Sequence, residues 1–151
     1  MKLRTSVLTF ALPFALMAGC TLTQLTPSAR FSESVHQLND MARWGQNDMA
    51  LASVSPKYKS DFSARHRDWG ESVNIAEIEL VNQQLAPDKE SGISLIAFSW
   101  TDQSGVMLRK SFVAQSWANE KGSFRLIGET IKKGDPNLFA AMPSEETSGS
   151  N

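Results

Sequence analysis

The chain has 151 residues, the size of one globular domain, and a formal net charge of −1 from 15 basic and 16 acidic residues. This balance lacks the basic surplus of nucleic-acid-binding domains, so we predict no nucleic-acid partner. The single cysteine, Cys20, excludes an intramolecular disulfide, and no Cys/His spacing indicates a metal site or a cofactor.

The first 19 residues have the pattern of an export signal. Lys2 and Arg4 give a positive start, and residues 7–18 are almost wholly apolar. This apolar run is shorter than the roughly 20 residues that a membrane-spanning helix needs, and it fits the apolar region of a signal peptide. We therefore predict a signal peptide over residues 1–19.

The stretch LMAGC, residues 16–20, resembles the lipobox of bacterial lipoproteins, although Met17 stands where leucine is usual. The resemblance implies cleavage before Cys20, a lipid on its sulfur and membrane attachment through the acyl chains. Thr21 rather than aspartate follows the cysteine, which in Gram-negative lipoproteins directs sorting to the outer membrane. The expected location is its periplasmic face. The alternatives are an ordinary secretory signal and an uncleaved anchor.

Composition divides the rest of the chain into three parts. Residues 20–30 are polar and threonine-rich, and they are predicted to be a lipid anchor and a tether. Residues 31–133 carry periodic apolar patterns and are predicted to form the folded domain. Residues 134–151 are predicted to be a largely disordered tail, in which Leu138 and Phe139 offer apolar side chains for docking on the domain.

Two helices are predicted first. Residues 27–44 place apolar side chains at helical spacing, with a cap at Thr26 and a break at Gly45. A short helix is predicted over residues 49–54, with Asp48 as its cap.

The third predicted helix begins at Pro56 and ends at Gly70. One stripe of this helix carries Tyr58, Phe62, Arg65 and Trp69. Arg65 therefore lies on the side that should face a sheet, where a buried charge needs a partner. One interpretation is an ion pair with Asp61, Glu77 or Glu79, with the arginine stem packed on Trp69. The other is an anionic ligand held at the mouth of the domain.

Four antiparallel strands are predicted after Gly70, which makes the fold class α+β. Their residues are 73–80, with a bulge near residues 76–77, then 93–100, 106–117 and 124–131. The second strand is apolar on both faces, so it is predicted to be central. Trp100 and Trp117 are predicted to be core residues, with Trp117 paired to Phe124 near the last turn.

Two stretches are similar to the nuclear transport factor 2-like superfamily, the cone-shaped fold of polyketide cyclases and ketosteroid isomerases. They are MARWGQNDMALASVSPKY, residues 41–58, and SFVAQSWANEKGSFRLIGETI, residues 111–131. The resemblance implies N-terminal helices packed on a curved antiparallel sheet of about four strands. It also implies a candidate homodimer, because many members pair through the open face of the sheet. No catalytic residue of the family transfers to this chain.

Three polar or aromatic residues carry alternatives. His36 is predicted to lie on a solvated helix face. His66, at the edge of the aromatic stripe, is interpreted as a partly exposed structural residue or as a general base. Trp44 lies off the apolar stripe, where it covers the turn between helices or forms part of a patch for a partner.

The leading functional hypothesis is a non-catalytic, lipid-anchored domain that binds a protein partner or a small amphiphilic ligand. Its candidate pocket contains Tyr58, Arg65, His66 and Trp69. The alternative is a small isomerase, dehydratase or cyclase that uses His66 or a pocket acid for proton transfer. A third hypothesis is a purely structural envelope protein whose interior is filled by its own side chains.

Overall fold

The computed structural model describes residues 25–140. The predicted signal peptide, Cys20 with residues 21–24, and residues 141–151 lie outside the described part of the chain. The elements in chain order are α1 (Pro27–Arg43), α2 (Asn47–Ala50), a 3₁₀ turn (Leu51–Ser53), α3 (Lys59–Arg65), β1 (Val73–Leu85), β2 (Ser91–Asp102), β3 (Arg109–Glu120), β4 (Ser123–Gly134) and a second 3₁₀ turn (Pro136–Leu138).

Helix α1 confirms the first predicted helix to within one residue. The Thr26 side chain accepts a hydrogen bond from the Ala29 amide at 3.2 Å, and Pro27 occupies the first turn. The predicted tether over residues 20–30 was therefore too long at its C-terminal end, because this cap starts the helix at Pro27. The helix ends before Gly45, whose φ of 66° suits glycine.

Residues 47–65 form shorter helices than predicted. Asp48 lies within the first turn of α2 instead of capping it. Helix α3 starts only at Lys59, because the preceding segment is held against β4: the Ser55 amide donates to the carbonyl of Leu126 at 2.9 Å. Its helical bonds end at His66, which donates its amide to the carbonyl of Phe62.

The sheet is a four-stranded antiparallel meander in the order β1-β2-β3-β4, so β2 is central as predicted. A register shift between Ile75 and Glu77 confirms the predicted bulge in β1. Strand β3 begins at Arg109 rather than at residue 106. Residues 106–108 are exposed and precede the first β2–β3 pair, which joins Trp100 to Arg109.

The core lies between the helices and one face of the sheet. Trp100 and Trp117 are buried in it, as predicted. The predicted aromatic pair is different, because the cross-strand partner of Trp117 is Leu126 and Phe31 of α1 lies against both aromatic rings. The Phe31 ring centroid is 6.1 Å from that of Trp117 and 5.1 Å from that of Phe124. Phe31 therefore helps to dock the first helix on the closing hairpin.

The domain extends past residue 133, so the start of the predicted disordered tail needs correction. Leu138 is fully buried, and its carbonyl accepts a hydrogen bond from Trp69 Nε1 at 2.8 Å. The Ala140 amide donates to the carbonyl of Arg65 at 2.9 Å. Burial of Leu138 and Phe139 fixes this segment across the end of α3. Among residues 25–140, no helix combines the length and the apolar character needed to cross a bilayer.

Candidate functional site

An opening of about 390 Å³ lies where α3, β4 and the last described residues meet. Its volume falls in the range of small-molecule sites, roughly 300–1,000 Å³. The lining residues are Arg65, Glu129, Thr130, Ile131, Pro136, Asn137, Phe139 and Ala140. The opening therefore combines one guanidinium group with aliphatic and aromatic walls.

Arg65 is half-buried at this opening. Its Nη1 donates to the main-chain carbonyl of Glu129 at 3.0 Å, and its Cζ lies 5.2 Å from the ring centroid of Phe139. The predicted ion pairs with Asp61, Glu77 or Glu79 are wrong for the described residues. The guanidinium group donates instead to a main-chain carbonyl oxygen. None of the ion pairs among residues 25–140 involves Arg65, so no carboxylate pairs with its guanidinium group beside the opening.

His66 is fully buried, which corrects the prediction of a partly exposed residue. Its Nδ1 lies 2.9 Å from the carbonyl of Phe62, and its Nε2 lies 3.5 Å from Oε2 of Glu129. The imidazole stacks on the Phe62 ring at 3.9 Å between centroids and meets Trp69 and Phe139 edge-on. Every side of the ring is thus occupied by protein.

The interior contains a chain of buried polar side chains that sequence reasoning missed. Gln115 lies at its centre and is fully buried. Its Nε2 donates to Oδ1 of Asn39 at 2.9 Å and to Oε1 of Glu129 at 3.1 Å. Its Oε1 accepts from Nδ2 of Asn39 at 3.0 Å and from Oγ of Ser94 at 3.1 Å. Ser94 in turn accepts from Nε1 of Trp117 at 3.0 Å.

The sequence did contain a signal for this network. Asn39 occupies the buried stripe of α1, directly after Leu38. Gln115 alternates with Val113 and Trp117 on the inward face of β3. Glu129 was harder to place, because the bulge between Ser116 and Trp117 shifts the phase of its strand.

The four residues of the predicted pocket do not line one opening. Only Arg65 lines the opening described above. His66 and Trp69 are buried in the aromatic cluster, and Nε1 of Trp69 donates a hydrogen bond to the carbonyl of Leu138. Tyr58 lines a separate opening with Ser55, Lys57, Asp61, Glu120 and Ile127. Burial raises the pKa of the Tyr58 phenol, and the nearby Glu129 carboxylate raises it further.

Burial lowers the pKa of His66, while the Glu129 carboxylate opposes this shift. We expect a measured pKa below the ordinary 6.5 and a further decrease in Glu129→Gln, which removes the opposing charge. The measurement is an NMR titration of the imidazole signals. A His36→Gln variant assigns the signals, since His36 is exposed, as predicted.

The same shift gives a pH dependence of stability. Because the folded-state pKa of His66 is below its unfolded value, the unfolded chain binds the proton first as the pH falls. The free energy of unfolding should decrease below about pH 6.5, by at most about 1.4 kcal/mol per pH unit from this residue. A His66 pKa at or above 6.5 would contradict both expectations.

Trp44 is exposed and lies off the apolar stripe, as predicted, and Cζ of Arg43 lies 5.1 Å from its ring centroid. Within residues 25–140, no group of three or more His, Cys, Asp or Glu side chains is arranged to hold a metal ion.

Comparison with protein-family models, curated proteins and solved structures finds no match to this chain.

Proposed function

We propose that this chain is a non-catalytic, lipid-anchored envelope domain that binds a small anionic amphiphile at the opening beside Arg65. Acyl chains on Cys20 would hold it at the periplasmic face of the outer membrane. The α+β architecture is compatible with the nuclear transport factor 2-like class, which this proposal includes.

The observation that carries the proposal is the charge of Arg65 at a partly apolar opening. Nη1 of Arg65 donates to the carbonyl of Glu129. The other guanidinium nitrogens could donate to a carboxylate or a similar head group. Phe139, Ile131 and Pro136 line the same opening and offer surface to an aliphatic chain. The combination suits a ligand with an anionic head and an apolar body.

The burial of the interior acid, Glu129, and the interior base, His66, supports a non-catalytic role. The Glu129 side chain is 1% exposed, as is that of His66. The whole Glu129 residue is 6% exposed, so its contribution to the opening is mainly main chain. Neither ionisable group is presented to a ligand in this conformation.

Substitution of Arg65 tests the ligand site. With dodecanoate as the probe, Arg65→Gln should weaken binding by about tenfold or more, since a hydrogen bond to a charged group contributes about 1.5–3 kcal/mol. Arg67→Gln is the matched control, because the Arg67 side chain is 63% exposed and pairs with Asp68. Isothermal titration calorimetry measures both variants.

Two results would contradict this assignment. One is the lack of dodecanoate binding by the unsubstituted protein. The other is an equal loss of affinity in Arg65→Gln and Arg67→Gln, which would indicate general electrostatics instead of a site. A protein partner that displaces dodecanoate would favour the protein-binding form of the hypothesis.

The second candidate function is a small isomerase, dehydratase or cyclase. It is favoured by one observation, the buried contact of an acid with a base at 3.5 Å between Glu129 and His66. Turnover of a small carbonyl substrate that is abolished in both His66→Asn and Glu129→Gln, with folding retained, would replace the first proposal.

The predicted homodimer is tested separately by light scattering of the purified protein.

A further inference from the structure

Three consecutive apolar side chains are exposed between β2 and β3. Val106, Met107 and Leu108 are 87%, 63% and 65% exposed, respectively. Contiguous exposed apolar surface of this kind marks contact sites for proteins or membranes. We call these three residues the apolar tip.

The apolar tip is presented by a hydrogen-bonded base. Oδ1 of Asp102 accepts from the Ser104 amide at 3.0 Å, and the carbonyl of Asp102 accepts from the Gly105 amide at 3.0 Å. On the other side, Nη2 of Arg109 donates to Oδ2 of Asp102 at 2.9 Å, and Nη1 of Arg109 pairs with Asp135. The base therefore ties together Asp102 and Arg109, the two ends of the segment that carries the tip.

Three exposed lysines lie at the ends of β3 and β4 on the side of the sheet's end that carries the apolar tip. Lys110 follows it by two residues, and the β3–β4 register places Lys133 opposite Phe112, with Lys132 beside it. Lys110 lies 3.4 Å from Glu79 in an exposed pair, which contributes little at the surface. Among residues 25–140, Lys132 and Lys133 form no ion pair.

We propose that the apolar tip is a second membrane contact, inserting into the bilayer surface while Lys110, Lys132 and Lys133 face anionic lipid phosphates. The inference depends on the proposed lipid anchor, which brings the domain to a bilayer. Aliphatic side chains flanked by lysines suit the boundary between acyl chains and head groups. The tip lines neither the opening beside Arg65 nor the opening beside Tyr58.

The fold separates the two contacts along the sheet. The start of α1 lies at the opposite end, where Nη1 of Arg30 donates to the carbonyl of Gly122 at 2.8 Å. Strands of 12 residues span about 40 Å at about 3.3 Å per residue. Attachment at both the anchor and the tip would orient the strands along the membrane surface, whereas attachment at the anchor alone would not.

A fluorescent label at the tip tests this arrangement in the full, lipidated protein. Met107→Cys carries an NBD group, and Met49→Cys is the control because Met49 is 57% exposed elsewhere on the surface. In vesicles that contain phosphatidylglycerol, we expect NBD at residue 107 to be quenched by a bilayer-embedded quencher, while NBD at residue 49 is not. Lys132→Gln with Lys133→Gln should lower the ratio of inserted to free tip by roughly 30-fold, because each lysine near an anionic surface contributes about 1 kcal/mol and about 1.4 kcal/mol is a factor of ten.

The outcomes separate this inference from the proposed function. Equal quencher access at residues 107 and 49, in protein whose mass shows the lipid, would overturn the inference and leave the anchor intact. Blue-shifted emission at residue 107 that depends on protein concentration without vesicles would overturn it in favour of contact with a second copy. Absence of the lipid from the purified protein would contradict the proposed function itself.

Discussion

Replacement of Gln115 by alanine is expected to lower the free energy of unfolding by about 4 kcal/mol or more. The side chain makes four hydrogen bonds, two with Asn39 and one each with Ser94 and Glu129. Its removal leaves those buried partners unsatisfied, at about 1–3 kcal/mol each, and also leaves a cavity. Urea denaturation followed by tryptophan fluorescence measures the change.

A graded series keeps this result interpretable if the alanine variant does not fold. Ser94→Ala removes one donor to Gln115 and leaves Trp117 Nε1 without its acceptor, so about 1–3 kcal/mol is expected. Gln84→Ala is the matched control, since Gln84 is exposed on β1, and should change stability by less than about 0.5 kcal/mol. Similar losses at all three positions would show that the network adds nothing beyond ordinary side-chain truncation.

Replacement of Cys20 by serine is expected to move the protein almost completely from the membrane fraction to the soluble fraction. The reason is that each buried methylene of an acyl chain contributes about 0.8 kcal/mol, so several chains cannot be replaced by the domain's own surface. Fractionation of cells that express either form, followed by immunoblotting, measures the distribution.

Thr21→Asp is the matched control for this experiment. It keeps the proposed lipid site and replaces the residue proposed to direct sorting, so the protein should remain in membranes and shift from the outer to the inner membrane. Unchanged membrane association of Cys20→Ser would contradict the anchor. Unchanged location of Thr21→Asp would contradict outer-membrane sorting alone.

Periodic apolar patterns were sufficient to predict the elements that bury a continuous face. Helix α1 and the central strand β2 follow directly from such patterns, and the bulge of β1 follows from a slip in alternation near Ala76. These features depend on neighbours in sequence or on burial of one face. They are therefore encoded locally.

The features that were wrong depend on contacts between distant segments. The predicted helix from Pro56 is shortened because Ser55 bonds to Leu126, which lies far along the chain. Residues 134–140 of the predicted tail belong to the domain because Trp69 holds Leu138, which confirms the expected docking of Leu138 and Phe139 but not the predicted boundary. Neither partner is visible in the local pattern, so propensity alone could not give these boundaries.

The candidate site was only partly predictable for the same reason. Arg65 stood out as a charge in an aromatic stripe, and it does lie at an opening. Its partner, the carbonyl of Glu129, is a main-chain atom that no residue identity reveals. His66 was placed at the edge of the stripe, but the docking of Phe139 completes its burial.

The intact mass of the native protein, purified from membranes in mild detergent, tests the central claim most directly. The account predicts a chain that begins at Cys20 and carries the added mass of a diacylglyceryl group and further acyl chains at that residue. An unmodified cysteine, in a chain cut at another residue or left whole, would contradict it.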